Sequence, residues 1–184
     1  MVTICEIGRD GFWTGRHLDV TERDGCPPGW VWAEVPQPPA GEVARWQGAW
    51  VYVPADEAEL VQLAGWKVDK IAALAAKRYA VETAGLDVAG SRISTDRDSQ
   101  AMINGAFTRA KDKQELGLDG DLIQFKGLSG WVELDIPTIL AIGRAVGDFV
   151  QACFAREGTL AALVEAAESQ ADLDAIDIGA GWPA

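Results

Sequence analysis

Apolar residues recur at intervals of three and four over the last third of the chain, the spacing of one helical face. The pattern predicts one helix over about residues 136–169, with an N-cap at Asp135 and with Pro137 in the first turn, where its missing N–H costs nothing. About thirty residues would span roughly 45–50 Å, more than a domain of this size needs for its own core. We therefore expect part of this face to contact another chain, at Leu160, Leu163 and Val164.

The preceding residues carry a second helical pattern. A helix is predicted from Trp66 to Thr83, ended by Gly85 in a left-handed C-cap, and residues 55–65 are interpreted as a linker or as the start of this helix. Its expected core face consists of Val68, Ile71, Ala72, Ala75 and Tyr79.

Two hairpins and another helix complete an α+β domain over residues 66–184. Thr95 to Asp98 resembles a capping box with Thr95 as the cap, and it precedes a helix with apolar positions at Met102, Ile103, Ala106, Phe107 and Ala110. We expect the two hairpins to join into one antiparallel sheet against the helices. The hairpins are Leu86–Ile93 around Ala89-Gly90 and Leu122–Leu134 around Gly127-Leu128-Ser129-Gly130, and a short helical turn is expected at Asp172–Ile176.

Residues 1–54 predict a separate, small β unit. Val2–Ile7 is rich in β-branched residues, Asp10-Gly11 is a hairpin signal, and Trp30–Val35 alternates as a strand does. Val43–Trp46 and Trp50–Val53 flank a short turn at Gln47-Gly48.

Five of the eight tryptophans lie in this small unit, at Trp13, Trp30, Trp32, Trp46 and Trp50. One interpretation is structural, because some fifty residues bury little aliphatic core and large rings compensate for that. The other is a partner-binding surface, since tryptophan is enriched at interface hot spots and in platforms for sugars or proline-rich chains. The sequence leaves both interpretations open.

Charge and hydropathy narrow the class of protein. A net charge of −12, with 16 basic against 28 acidic residues, argues against a nucleic-acid partner, which needs a basic face. The sequence shows no unbroken apolar run of the roughly 18–20 residues that span a bilayer, and no signal peptide at the N-terminus, so we expect no membrane insertion and synthesis in the cytoplasm.

Candidate chemistry is sparse, and we expect a non-enzymatic protein without cofactor, metal or catalytic residues. The single histidine, His17, has no nucleophile motif around it, and no phosphate-binding glycine motif occurs. The acidic pairs Asp96/Asp98 and Asp119/Asp121 fit a helix N-terminus and a turn. Cys5, Cys26 and Cys153 lack metal-ligand spacing, and we expect them to be reduced, although Cys5 and Cys26 share one unit.

Several segments of residues 66–184 resemble an uncharacterised domain family of tailed bacteriophages and prophages, found beside tail-fibre genes. They are STDRDSQA at 94–101, WVELD at 131–135, VQACF at 150–154 and GWP at 181–183. The front unit, with PPGW at 27–30 and WQGAWV at 46–51, is similar to N-terminal parts of phage tail-fibre assembly and tail-associated proteins. The resemblance implies a phage tail context and supplies no active site.

Three functions fit these observations. The chain is expected to be a structural part of the baseplate or tail fibre in the virion, bound to fibre or sister subunits through helical and tryptophan-rich surfaces, with a trimer as the first expectation. Alternatively it is a tail-fibre assembly chaperone that leaves before the virion is complete. A host-receptor or glycan-binding module rests on the tryptophans alone.

Overall fold

The computed structural model of the chain describes residues 1–21, 24–127 and 130–184. Small antiparallel sheets alternate with helices, which confirms the α+β class. The strands are β1 Val2–Ile7, β2 Trp13–Val20, β3 Trp30–Trp32, β4 Glu42–Trp46, β5 Trp50–Pro54, β6 Leu86–Val88, β7 Ser91–Ile93, β8 Leu122–Gly127 and β9 Gly130–Asp135, and the helices are α1 Ala55–Glu82, α2 Arg97–Glu115, α3 Ile136–Ala166 and α4 Gln170–Ala175.

The chain divides into two compact units. Unit 1 comprises Met1–Asp69 with Glu168–Gln170, and unit 2 comprises Lys70–Ala167 with Ala171–Ala184. Helix α1 begins at Ala55, so residues 55–65 are helical and the division falls inside this helix, after Asp69.

Unit 1 contains a three-stranded antiparallel sheet in the order β2-β1-β3 and the hairpin β4-β5. Ile4, Cys5, Phe12 and Ala44 are buried in this unit, and Ala58 is buried in the first turns of α1. The strand expected at Trp30–Val35 ends at Trp32. Beyond it the backbone carbonyls are engaged by side chains: Cys5 Sγ donates to Ala33 O at 3.5 Å and Trp50 Nε1 donates to Glu34 O at 2.8 Å.

The core face expected for the helix at 66–83 was wrong. Val68 and Tyr79 are exposed, whereas Leu74 and Glu82 are completely buried. An apolar count misplaces this face because Glu82 enters the core as an ion-paired carboxylate together with Arg78, a residue that hydropathy assigns to solvent. Gly85 does adopt the expected left-handed conformation, with a φ of 94°.

The two hairpins of unit 2 do not join, contrary to the expectation of one sheet. Within the described residues β6 pairs with β7, and β8 pairs with β9, as two separate two-stranded sheets. Each hairpin buries its apolar side directly against helices: Leu86 packs in one cluster with α3 residues, and Ile123 packs in another. Burial of these side chains therefore does not require the two hairpins to pair with each other. Of the turn expected at Gly127–Gly130, Leu128 and Ser129 lie outside the described residues.

Helix α2 begins one residue later than the capping-box pattern suggests. Its N-cap is Asp96, whose carboxylate accepts from Ser99 N at 2.8 Å and from the hydroxyls of Ser94 and Ser99. Thr95 is buried, and its hydroxyl accepts from Gly85 N at 2.9 Å. Thr95 therefore holds the end of the preceding helix while Asp96 starts the next.

The Asp96 cap predicts an acid-sensitive step in the stability of α2. The hydrogen bonds from Ser94 and Ser99 lower the pKa of Asp96 from 3.8 to about 2. Because the folded pKa lies below the unfolded one, the stabilisation is present above about pH 4 and is lost as the pH falls towards about 2. Asp96→Asn, which caps without a charge, should flatten this part of a thermal-melt series against pH. An unchanged step in that variant would assign it to another carboxylate.

Helix α3 confirms the long helix predicted over about residues 136–169, and it ends at Ala166. Asp135 is its N-cap, accepting from Thr138 N at 2.8 Å, and Pro137 lies in its first turn. Val146, Phe149 and Cys153 pack with Leu86 and Ile103 in one core cluster, and Ile136, Ile139 and Leu140 pack with Ala110 and Ile123 in a second. Helix α2 packs against α3 at Gly143, where an added β-carbon would overlap the Phe107 ring.

By length and composition α3 is also apolar enough to cross a membrane, although it contains no unbroken apolar run of that length. The core helix of a globular protein passes the same test, and this helix supplies most of both core clusters of unit 2.

Candidate partner-binding surfaces

Four of the five tryptophans in residues 1–54 are half-buried and have defined contacts. Trp46 and Trp50 are opposite each other in the β4-β5 hairpin, with ring centroids 5.0 Å apart in an edge-to-face arrangement. Trp13 Nε1 donates to Arg16 O at 3.1 Å, and the Arg16 guanidinium lies 5.7 Å from the Trp30 ring centroid. These contacts are those of rings that stabilise a small β unit.

Trp32 differs from the other four, since 42% of it is exposed. It lies at the end of β3, an outer strand of the three-stranded sheet. With Met1, Val2 and Glu34 it lines a concave surface of about 690 Å³. Of the five predicted positions, Trp32 is the one whose side chain is exposed.

Two exposed tryptophans were missed by the sequence interpretation. Trp66 is 40% exposed on α1, where it lines a second concavity of unit 1 with Gln62 and Val68. Trp131 is 74% exposed on β9. Strand alternation contains a signal for Trp131: it is opposite Lys126, on the hairpin face that also carries Gln124 and Glu133, while Ile123, Phe125 and Leu134 form the inner face.

The three partner-contact positions proposed on α3 separate into core and surface. Leu160 and Val164 are 2% and 0% exposed, so they belong to the core of this chain and offer no surface to a partner. Leu163 is 52% exposed. The apolar face predicted from spacing included too many residues. Core residues and the residues beside them on the helix share the spacing of three and four, and only the packing distinguishes them.

A buried ionic cluster in unit 2 was also missed. The Glu82 carboxylate is fully buried and pairs with Arg78 one turn earlier, with Arg97 Nη1 at 2.9 Å, and with Gln100 Nε2 at 3.1 Å. Arg78 Nε lies 2.9 Å from Glu157 Oε2 on α3, and its guanidinium lies 4.6 Å from the Phe154 ring centroid. This Glu82 cluster therefore connects α1, α2 and α3.

The remaining candidate side chains have structural explanations. Burial raises the pKa of the Cys153 thiol, and the nearby Glu82 carboxylate raises it further against the smaller opposing effect of Arg78. Burial likewise raises the pKa of Cys5. All three cysteines are free, Asp121 pairs with Lys113, and His17 is exposed on β2. Neither buried thiol has the lowered pKa of a nucleophile.

The closing GWP segment is held in place by α3. Arg156 Nη2 donates to Ala180 O at 3.0 Å, and a β-carbon on Gly181 would meet the same guanidinium at 3.0 Å. Gly181 also has a φ of 73°, which favours glycine. Trp182 Nε1 donates to Ile178 O at 2.9 Å. The contacts of this segment therefore lie within the chain, and the indole N–H of Trp182 has a hydrogen-bond acceptor there.

An open groove of about 690 Å³ runs between α2 and α3. Arg97, Asn104 and Phe107 are among the residues on its α2 side. The α3 side includes Gly143, Arg144, Gly147, Asp148, Gln151 and Phe154. Among the described residues outside the helix's own backbone, a β-carbon on Gly147 would meet no atom within 4 Å, so α3 is accessible there.

Comparisons with known proteins give one match. No curated protein and no solved structure matches the chain. A family model described as a domain of unknown function (DUF4376) matches residues 66–180, which includes α2, both hairpins, α3 and most of α1. Because this match covers more than half of the sequence, the chain belongs to the DUF4376 family.

Proposed function

We propose that this chain is a non-enzymatic phage tail protein, a structural component of the baseplate or tail fibre that associates with fibre or sister subunits. The context comes from the resemblance of residues 66–184 to a phage and prophage domain family. The structural observation that carries the proposal is the exposed Trp32 ring on an outer strand, where it lines a concave surface.

An outer strand with an exposed aromatic ring suits the docking of an extended chain. Unpaired backbone groups at a sheet edge accept a further strand, and pockets along the edge select its side chains. The resemblance implies a tail fibre or baseplate, and such structures are assembled from subunits with long contact surfaces. Leu163 on α3 and Trp131 on β9 add exposed apolar side chains in unit 2.

The proposal predicts that the chain is present in mature virions at a fixed copy number. Purified particles should contain it in a multiple of three or six, because tail parts follow closed rotational symmetry. The measurement is quantitative mass spectrometry of purified virions, calibrated against a tail protein of known copy number.

Two other outcomes would contradict it. Absence from virions, together with co-purification with the fibre from infected cells, would identify an assembly chaperone. A variable, substoichiometric amount that washes away at high salt would identify a contaminant.

Trp32→Ser removes the exposed ring that the proposal assigns to partner binding. Trp50→Ser is its matched control, because the Trp50 ring packs on Trp46 inside unit 1.

A further inference from the structure

The groove between α2 and α3 has a floor that permits close approach of another helix. Gly143 is filled by the Phe107 ring, whereas Gly147, one turn further along, opens onto free space. Small residues at such positions let a second backbone approach to within the short end of the 8–10 Å range of helix packing. The groove follows α3 from residue 143 to 154, about 16 Å at 1.5 Å per residue, or three helical turns.

Two charged side chains on the α3 side of this groove have no ion-pair partner within the described part of the chain, whereas Arg97 on the α2 side is paired with Glu82. Arg144 and Asp148 are exposed and form none of its ion pairs. They lie four residues apart, about 6 Å along the same side of α3, with Gly147 between them. The flanking Asn104 and Gln151 side chains each carry both donors and acceptors.

This arrangement is complementary to itself. In an antiparallel helix pair related by a two-fold axis, each residue meets the one that lies equally far on the other side of the axis. With the axis level with residue 146, Arg144 of each chain meets Asp148 of the other, so the interface contains two ion pairs.

We propose that the groove holds α3 of a second copy of this chain, in an antiparallel two-fold pairing closed by Arg144 and Asp148. Helices α2 and α3 of the two copies then form a four-helix arrangement with Gly147 at the closest approach. This inference rests on the proposed association with sister subunits and specifies its surface. Charge complementarity selects a second copy over an acidic partner, which would leave Asp148 opposed by like charge.

The test is a charge-reversal mixing experiment on the full-length chain. Arg144→Asp alone places four carboxylates at the two contacts, and Asp148→Arg alone places four guanidinium groups there, so each variant should dissociate at concentrations where the wild type is dimeric. The dissociation constant should rise about tenfold or more, since two attractive pairs become repulsive. An equimolar mixture of the two variants should restore a dimer containing one chain of each. Sedimentation velocity over a wide concentration range measures all four samples.

Two further variants separate the interface from the fold. Gly147→Leu should block the approach without a clash inside the chain, because nothing lies within 4 Å of the added β-carbon. Arg109→Asp makes the same charge change on an exposed α2 position outside the groove and should leave the dimer intact. Thermal melts of every variant should stay close to the wild type.

Several results would overturn the proposal. One is a wild type that is monomeric. Another is a dimer or trimer whose dissociation constant is unchanged by all three groove variants. The third is an equimolar mixture of the two charge-reversal variants that forms no dimer. Loss of fibre capture by Arg144→Asp with unchanged self-association would make the occupant a partner protein. A dimer from a chain absent in virions would instead contradict the tail assignment alone, and a monomer found in virions would contradict the dimer alone.

Discussion

Phe149→Asp is expected to unfold unit 2. Phe149 is 7% exposed and packs with Leu86, Ile103, Val146 and Cys153. Truncating a buried phenylalanine costs about 3–5 kcal/mol, and an ionised carboxylate without a partner in an apolar cluster adds several more. The sum reaches the 5–15 kcal/mol that typically holds a whole domain, so Val146→Asp in the same cluster should unfold it as well. Loss of the cooperative thermal transition in far-UV circular dichroism measures both.

Leu163→Asp is the matched control for these two variants. Leu163→Asp also introduces a carboxylate on α3, but at a residue that is 52% exposed. Its free energy of unfolding should therefore stay within about 0.5 kcal/mol of the wild type, and the effect should fall on association instead. Equal unfolding of all three variants would show that α3 has no division between a core face and a surface face.

Glu82→Ala is expected to have the second largest effect. The substitution removes the acceptor shared by Arg78, Arg97 and Gln100, and leaves the Arg78 side chain, which is 14% exposed, with Glu157 as its remaining carboxylate. Breaking a buried ion pair from one side costs about 3–5 kcal/mol, because the other charge stays desolvated. The free energy of unfolding in urea should fall by that amount, with an unchanged dependence on denaturant concentration.

Asp87→Ala supplies the comparison for the Glu82 cluster. Asp87 also pairs with an arginine, Arg92 at 2.9 Å, but both side chains are more than half exposed. An exposed pair contributes below about 1 kcal/mol. If both alanine variants lost the same small amount, the Glu82 cluster would have no stabilising role beyond that of a surface ion pair.

The long helix α3 could be predicted because every local signal agrees on it. Its apolar period, the Asp135 cap and Pro137 each favour a helix that begins at the same point. The core face of α1 could not be predicted in the same way, because Glu82 and Arg78 become core residues only through partners on α2 and α3 that lie distant in sequence. An apolar count has no term for a charge that is neutralised by a tertiary contact.

The candidate surfaces were predictable only in part, for a related reason. Clustering of tryptophan in residues 1–54 pointed to unit 1, yet which ring is exposed depends on packing: Trp30 and Trp32 lie on the same outer strand β3, where Trp30 is half-buried and Trp32 is exposed. Leu160, Leu163 and Val164 share one periodicity, so spacing could not assign Leu163 alone to the surface. The α2–α3 groove needed the packing of Phe107 on Gly143, which no single segment encodes.

The unequal burial of the three cysteines makes the chain selectively addressable by thiol reagents. Cys5 and Cys153 are enclosed, and their raised pKa values keep them as unreactive thiols at neutral pH, whereas Cys26 is only half-buried. A maleimide dye added to the native protein therefore attaches at Cys26 and places one fluorophore in unit 1. Fluorescence from that single label can follow the tryptophan-rich unit without mutagenesis.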